Sequence, residues 1–258
     1  MSAYFGTDQT QRLQRKSDDL MPWIMATPGA CVTGRIIAAD NWRALERDLI
    51  LQHLDEDGMF AFRWITPEDV TMLRAEMARI GACFFDWNGF MGDAATLRSR
   101  SEMRLAQPLA KGFDQTRAAP DDLPRMQAFL AEHGITPLST DLMGGRLCPA
   151  LSIVIKDAAG TIAAAGFTGM LQNRFSLLAD CAWMGLIAVD PAARGMGFGS
   201  RIAAALCKAS LDDLGAARVI AFAAPDNAAS IAMLTGAGLT PRPEKSCVAA
   251  ISQDRPTR

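Results

Sequence analysis

The segment that most constrains this chain is Arg194-Gly195-Met196-Gly197-Phe198-Gly199. An apolar run, Met184-Gly185-Leu186-Ile187-Ala188-Val189, precedes it and reads as a strand. Asp190-Pro191 is a turn signal, and Ser200 to Leu206 opens a helical pattern. Glycines at alternate positions let backbone N–H groups converge where side chains would collide. A helix start adds unpaired N–H groups and a partial positive charge. Strand, glycine loop and helix in that order form an anion cradle, and the ligand it predicts is a phosphate or pyrophosphate.

Spacing separates the phosphate ligands. A P-loop ends in Gly-Lys-Ser/Thr, whereas this loop ends Gly199-Ser200-Arg201. A dinucleotide fingerprint takes Gly195 and Gly197 and needs a third small residue at Ser200. It also needs an acid at the end of the next strand, about 20 positions on. The next apolar run, Arg218-Val219-Ile220-Ala221-Phe222, has no acid before Asp226, beyond Pro225. A third pattern fits. Arg194-x-x-Gly197-x-Gly199 resembles the acetyl-CoA loop of the GNAT (Gcn5-related) N-acetyltransferases. The strand before it ends Val189-Asp190-Pro191, similar to that family's Val-x-Pro. Downstream, Ala224-Pro225-Asp226-Asn227 opens a helix, and Gly238-Leu239 closes it, in the family's order. Upstream, Arg117 to Pro124 looks like the family's opening strand-to-helix turn. The resemblance covers about residues 106–258, and nothing in 1–105 shares it.

The resemblance implies an α/β fold over residues 106–258: a mixed, mostly antiparallel sheet with flanking helices that binds acetyl-CoA. Residues 1–105 are then expected to form a separate N-terminal α/β domain of unknown type, a candidate contributor to the acceptor site. The N–H groups of Gly195, Met196, Gly197, Phe198, Gly199 and Ser200 would bind the pyrophosphate, with Arg194 adding one side chain. A bulge is expected at Gly185, freeing donors from ladder pairing. Ile187, Ala188 and Val189 would then meet the pantetheine arm and the acyl oxygen. A second account of Gly185 is a glycine that packs against a neighbouring aromatic ring. Asn227 is a helix cap, a pantetheine contact, or both. Ser230, one turn on, would face the same groove, unless it bonds back to its own helix.

The chain departs from the family at the acid and the base. Many members place a general-acid Tyr where this chain has Leu234, and the one tyrosine present is Tyr4. For the base the loop-preceding strand offers Asp180 at its start; the competing account is an ordinary strand-end acid at the surface. The expected activity is acetyl transfer from acetyl-CoA, as cosubstrate, to a primary amine of a small molecule or peptide. The alternatives are a non-catalytic acyl-CoA-binding or regulatory protein and, third, an NAD-dependent oxidoreductase, which lacks its ribose acid here.

Half of the residues are hydrophobic, which supports a packed core. The formal net charge of −2 carries no basic excess, so no nucleic-acid partner is expected. The six cysteines are scattered without a Cys-x-x-Cys pair, and there are two histidines, His53 and His133. Neither a disulfide framework nor a metal site is expected. Residues 1–8 lack a basic-then-apolar leader, and no apolar run reaches spanning length. The expectation is a cytoplasmic protein without membrane contact, with a homodimer allowed.

Along the chain, residues 1–20 read as polar and mobile, and Asn41 to Leu54 as an amphipathic helix. Thr66-Pro67-Glu68-Asp69 is a helix start, with Thr as cap and Pro at the first helical position. Cys83 to Trp87 reads as a strand, and Asn88-Gly89 as a turn that makes Trp87 and Phe90 pocket candidates. After a linker at 106–111, a strand and a helix precede a hairpin around Asp157-Ala158-Ala159-Gly160.

Overall fold

The computed structural model describes residues 3–252. The first half runs α1 (Asp8–Asp19), α2 (Met21–Ala26), β1 (Ala30–Val32), β2 (Ile37–Ala39), α3 (Arg47–Asp57), β3 (Met59–Ile65), α4 (Pro67–Met77), β4 (Ala82–Asp93) and α5 (Ala94–Leu105). The second half runs β5 (Phe113–Arg117), α6 (Asp122–Glu132), α7 (Thr140–Met143), β6 (Ala150–Asp157), β7 (Ile162–Gly169) and β8 (Cys181–Val189), then α8 (Phe198–Asp212), β9 (Arg218–Ala223), α9 (Ala228–Gly236) and β10 (Thr240–Ser252).

Local sequence chemistry sets many of these boundaries. Thr66 and Asp69 form a reciprocal capping box with Pro67 next in line. Asp93 caps α5 through the Thr96 N–H, and Gly58 ends α3 in the left-handed conformation. Three expectations need correction. The polar stretch 1–20 contains α1, whose Leu13, Gln14 and Ser17 are buried. The helix expected from Asn41 is interrupted. Trp42–Ala44 is a single 3-10 turn, Leu45 goes extended to bury its side chain, and α3 starts only at Arg47. Asn88-Gly89 is not a turn but lies inside β4, so Phe90 is a core residue. A Cβ on Gly89 would stand 2.9 Å from the Lys245 carbonyl oxygen, so the glycine marks a close backbone approach.

All ten strands join one sheet in the order β1-β2-β3-β10-β4-β9-β8-β7-β6-β5. Two neighbouring pairs, β2–β3 and β8–β9, are parallel, and the others are antiparallel. The division expected at residue 105 does not divide this sheet. β4 of the first half lies between β9 and β10 of the second, and β10 pairs with both β3 and β4. Alternation along the strands sends side chains to two apolar layers. Val154 joins the layer under α2, α3, α4, α6 and α7, while Ile153 and Ile155 join the layer under α5, α8 and α9.

Two irregularities in the sheet shape the site. β8 pairs with β9 only over Cys181–Trp183, so the two parallel strands part company beyond Trp183. On its other edge β8 bulges: Gly185 faces Phe167 and Ala188 faces Ala165, which leaves two residues of β8 against one of β7. Leu186 takes a left-handed φ of 54° there.

Candidate functional site

The parting of β8 from β9 opens a cleft of about 1030 Å³ between β8, the start of α8 and the start of α9. Eleven of the twelve residues expected at the cofactor line it: Ile187, Ala188, Val189, Arg194, Gly195, Gly197, Phe198, Gly199, Ser200, Asn227 and Ser230. Met196 does not; its side chain is exposed. Glu132 at the end of α6, with His133 and Ile135 just beyond it, adds to the lining.

The loop holds its amides ready. Gly195 and Gly197 both have left-handed φ values, 81° and 75°, which only glycine adopts without strain. Gly197 is the N-cap of α8 and has no side chain to cap it. The first helical bond runs from the Arg201 N–H to the Gly197 carbonyl, 3.1 Å. None of the N–H groups of residues 195 and 197–200 finds an acceptor among the described residues. At α4, α5 and α9 a Thr, Asp or Asn side chain takes up such a donor. At α8 several donors are left together at the mouth of a cleft, at the positive end of a helix of 15 residues.

Positive side chains gather behind the same loop. Arg194 lines the cleft. Arg201 is held by Gln115 and by the Gln107 carbonyl. Arg104, from α5, donates from Nη2 to the Gly197 carbonyl at 2.7 Å and occupies the space a Cβ at 197 would need. Sequence reading missed Arg104, because nothing in residues 94–105 marks it; only the packing of α5 on α8 brings it there.

The two accounts of Gly185 both hold. The bulge follows it directly, and a Cβ on it would run into the Trp183 ring. Asn227 caps α9, its Oδ1 accepting from the Ser230 N–H at 3.0 Å, and it lines the cleft as well. Leu234 is 3% exposed and belongs to the apolar layer beneath, while its neighbour Met233 lines the cleft. His133 accepts the role of a helix end, its Nδ1 sitting 2.7 Å from the Phe129 carbonyl.

Asp180 is not brought to the cleft. It precedes the far end of β8, roughly 30 Å along the strand from Val189 at ~3.3 Å per residue. Its carboxylate is bound by Arg218, with Nε to Oδ2 at 3.1 Å and a second bond from Nη2 to Oδ1. The Arg218 hydrogen bonds hold this carboxyl below its ordinary value, which makes it a poorer proton acceptor. The strand-end account therefore describes it. Among the described residues no three His, Cys, Asp or Glu side chains cluster as metal ligands, and no helix is long and apolar enough to cross a membrane.

Comparisons with known proteins agree with this geometry. The profile of the Acetyltransferase (GNAT) family matches residues 128–238. No curated protein matches the chain. Among solved structures, a GCN5-related N-acetyltransferase from Kribbella flavida aligns with a TM-score of 0.57 at 10% identity, over 93% of this chain and 95% of that one. A tandem GNAT protein from the clavulanic acid biosynthesis pathway aligns at 0.56 and 15% identity, over 94% and 89%. A GCN5-related N-acetyltransferase-like protein from Streptococcus suis aligns at 0.55 and 15%, over 95% and 98%. At such identities the likeness is one of fold, and it extends through the first half of the chain.

Proposed function

The chain carries a GNAT-family acetyltransferase domain over residues 128–238, and from that premise we propose that it is an acetyl-CoA-dependent N-acetyltransferase for a primary amine. One observation carries the reading: the unpaired amides of residues 195 and 197–200 converge at the mouth of a cleft that continues along the β8 bulge. The amides and Arg194 would hold the pyrophosphate; charge-assisted hydrogen bonds are worth about 1.5–3 kcal/mol each. Ile187, Ala188 and Val189 would flank the pantetheine arm, and Asn227 and Ser230 would close its other side. In this reading residues 106–258 supply the acetyl-CoA face, and residues 1–105 contribute Arg104 behind the loop and part of the acceptor wall.

Calorimetric titration with CoA, acetyl-CoA and NAD tests the first half of the claim. Saturable binding of both thioester and free CoA, with none of NAD, is expected. Release of free thiol from acetyl-CoA in the presence of an amine panel tests the second. One observation favours a non-catalytic acyl-CoA-binding protein instead: Leu234, at the family's Tyr position, is buried in the core. Tight CoA binding with no thiol release across the panel would select that reading.

A further inference from the structure

The cleft does not end at the bulge. Ile135 is shared between it and a second cavity of about 420 Å³, and Leu186, next to Ile187 on the bulge, lines that second space. Most of its far wall comes from the first half: Met59, Ala61 and Arg63 on β3, Arg35 between β1 and β2, and Trp87 on β4. Trp183 and Phe222 face them from β8 and β9. The volume lies in the range of small-molecule sites.

Two guanidinium groups enter this apolar space. Arg63 is 3% exposed, and its single hydrogen bond runs from Nη1 to the Val32 carbonyl, 2.8 Å. Its Cζ lies 5.2 Å from the Trp183 ring centroid and 5.0 Å from that of Phe222. A guanidinium has five N–H donors, so most of those on Arg63 remain available. Arg35 is half-buried, and burial pulls its pKa below the ordinary value. Neither arginine forms an ion pair among the described residues. Asp40 is the acid that feels the charge of Arg63, but it is hydrogen-bonded by the Ser176 hydroxyl and burial raises its pKa. No Asp, Glu or His lines the cavity. Buried charge without a counter-charge is unfavourable, and an anionic ligand would relieve it.

Backbone strain marks the same place. The two non-glycine residues with positive φ among the described residues are Leu186 and Trp64. Leu186 lines the cavity, and the Trp64 ring meets the Phe222 ring edge-on. Such conformations are strained and persist where surrounding structure enforces them, often beside ligands.

We propose that this cavity is the acceptor site and that the acceptor is a carboxylate-bearing amine with an apolar remainder, its carboxylate held by Arg35 and Arg63. The proposal rests on the acetyltransferase reading above. In the transfer, the amine nitrogen forms a bond to the acyl carbon and the carbon–sulfur bond breaks. One proton leaves the nitrogen, and one is taken up by the thiolate. Two fixed positive charges disfavour an ammonium beside them and favour the neutral amine. That eases the first proton loss in a cavity without a carboxylate or imidazole of its own.

The test uses the full chain and matched pairs of acetylated amines: N-acetyl-leucine against N-acetyl-isoamylamine, N-acetyl-phenylalanine against N-acetyl-phenethylamine, and N-acetyl-alanine against N-acetyl-ethylamine. Each is titrated calorimetrically with and without CoA, against the native protein, Arg35→Gln and Arg35→Lys. At least one carboxylate member should bind ten times more tightly than its partner. Arg35→Gln should abolish that preference, Arg35→Lys should keep part of it, and the CoA affinity of both variants should stay native, which also reports that they are folded. Equal affinity within every pair, a preference that survives Arg35→Gln, or no binding of any member at millimolar concentration would each overturn the proposal. A failure of the acetyltransferase reading shows separately, as absence of CoA binding, because the pairs are also titrated without CoA.

Discussion

Gly199 offers a clean separation of charge from shape at the proposed pyrophosphate site. Unlike Gly195 and Gly197, it has no left-handed φ. A Cβ built on it would lie 3.5 Å from Val189 Cγ2 and 3.6 Å from Met233 Sδ, ordinary contact with two cleft-lining residues. Residue 199 can therefore carry a side chain without distorting α8, and Gly199→Asn and Gly199→Asp add the same shape with and without a charge. A carboxylate about 5 Å from a phosphate repels it by ~3 kcal/mol per unit pair at an effective dielectric of 20, and by under ~1 kcal/mol at that of water. The Asp variant should bind CoA about 5- to 150-fold more weakly than the Asn variant, since each 1.4 kcal/mol is tenfold. Calorimetric titration of both variants with CoA measures the ratio, and their melting temperatures should agree. The gap should shrink as salt is raised from about 0.1 M to 1 M, because the screening length falls from about 10 Å to about 3 Å. An Asp variant that binds CoA within twofold of the Asn variant at low salt would refute the placement of phosphate at this helix start.

Three further outcomes follow from the packing. Arg104→Gln removes the clamp on the Gly197 carbonyl and should weaken CoA binding by roughly 1–2 kcal/mol, in line with loss of a charged hydrogen bond, with α5 still docked when followed by circular dichroism. Leu234→Tyr overpacks a buried position; a cost of about 1–3 kcal/mol should lower the melting temperature by about 2–10 °C without raising thiol release, and a gain in turnover at unchanged melting temperature would place residue 234 at the leaving thiol. Asp57, whose side chain is 1% exposed, joins α3 to α1 through Lys16 at 2.8 Å. Burial pushes its carboxyl up, but hydrogen bonds from His53 and Lys16 and the Lys16 charge outweigh burial and hold it below the ordinary value. A depressed pKa means that the unfolded state binds more protons, so this stabilisation is present above about pH 4 and fades as pH falls below it. Asp57→Asn should therefore cost about 3 kcal/mol in urea unfolding at pH 7, and the difference between the two proteins should narrow as pH is lowered below about 4.

The cleft proposed for the cofactor was legible because it is written locally. Residues 184–199 place strand, loop and helix within one stretch, and the loop fixes where its own amides point. Asn227 was legible for the same reason, since a cap acts within one turn of itself. The cavity proposed for the acceptor was not, because it is assembled from β3, β4, β8 and β9, which no short stretch contains. A signal existed nonetheless. Arg63 is the lone charge in Met59-Phe60-Ala61-Phe62-Arg63-Trp64-Ile65, and Arg35 is the lone charge in the apolar run 30–39. A single cation inside an apolar run is a charge drawn toward the core and in need of a partner. Asn88-Gly89 misled for a related reason: a turn dipeptide also suits a strand where two backbones pass closely, and only the register of β10 distinguishes the two.

The seat of β10 between β3 and β4 bears on how the chain is made as well as on what it binds. Both neighbours emerge from the ribosome long before it: roughly 150 residues separate β4 from β10, about 7–30 s of synthesis at 5–20 residues per second. Throughout that interval β3 and β4, both rich in Phe and Trp, lack the strand that pairs with each of them in the folded sheet. Pairings of such wide sequence separation form slowly, and open edges invite other chains to fill them. A nascent chain stalled before residue 240 therefore leaves β3 and β4 without the strand between them, and β10, which joins both, arrives after the other nine strands of the sheet.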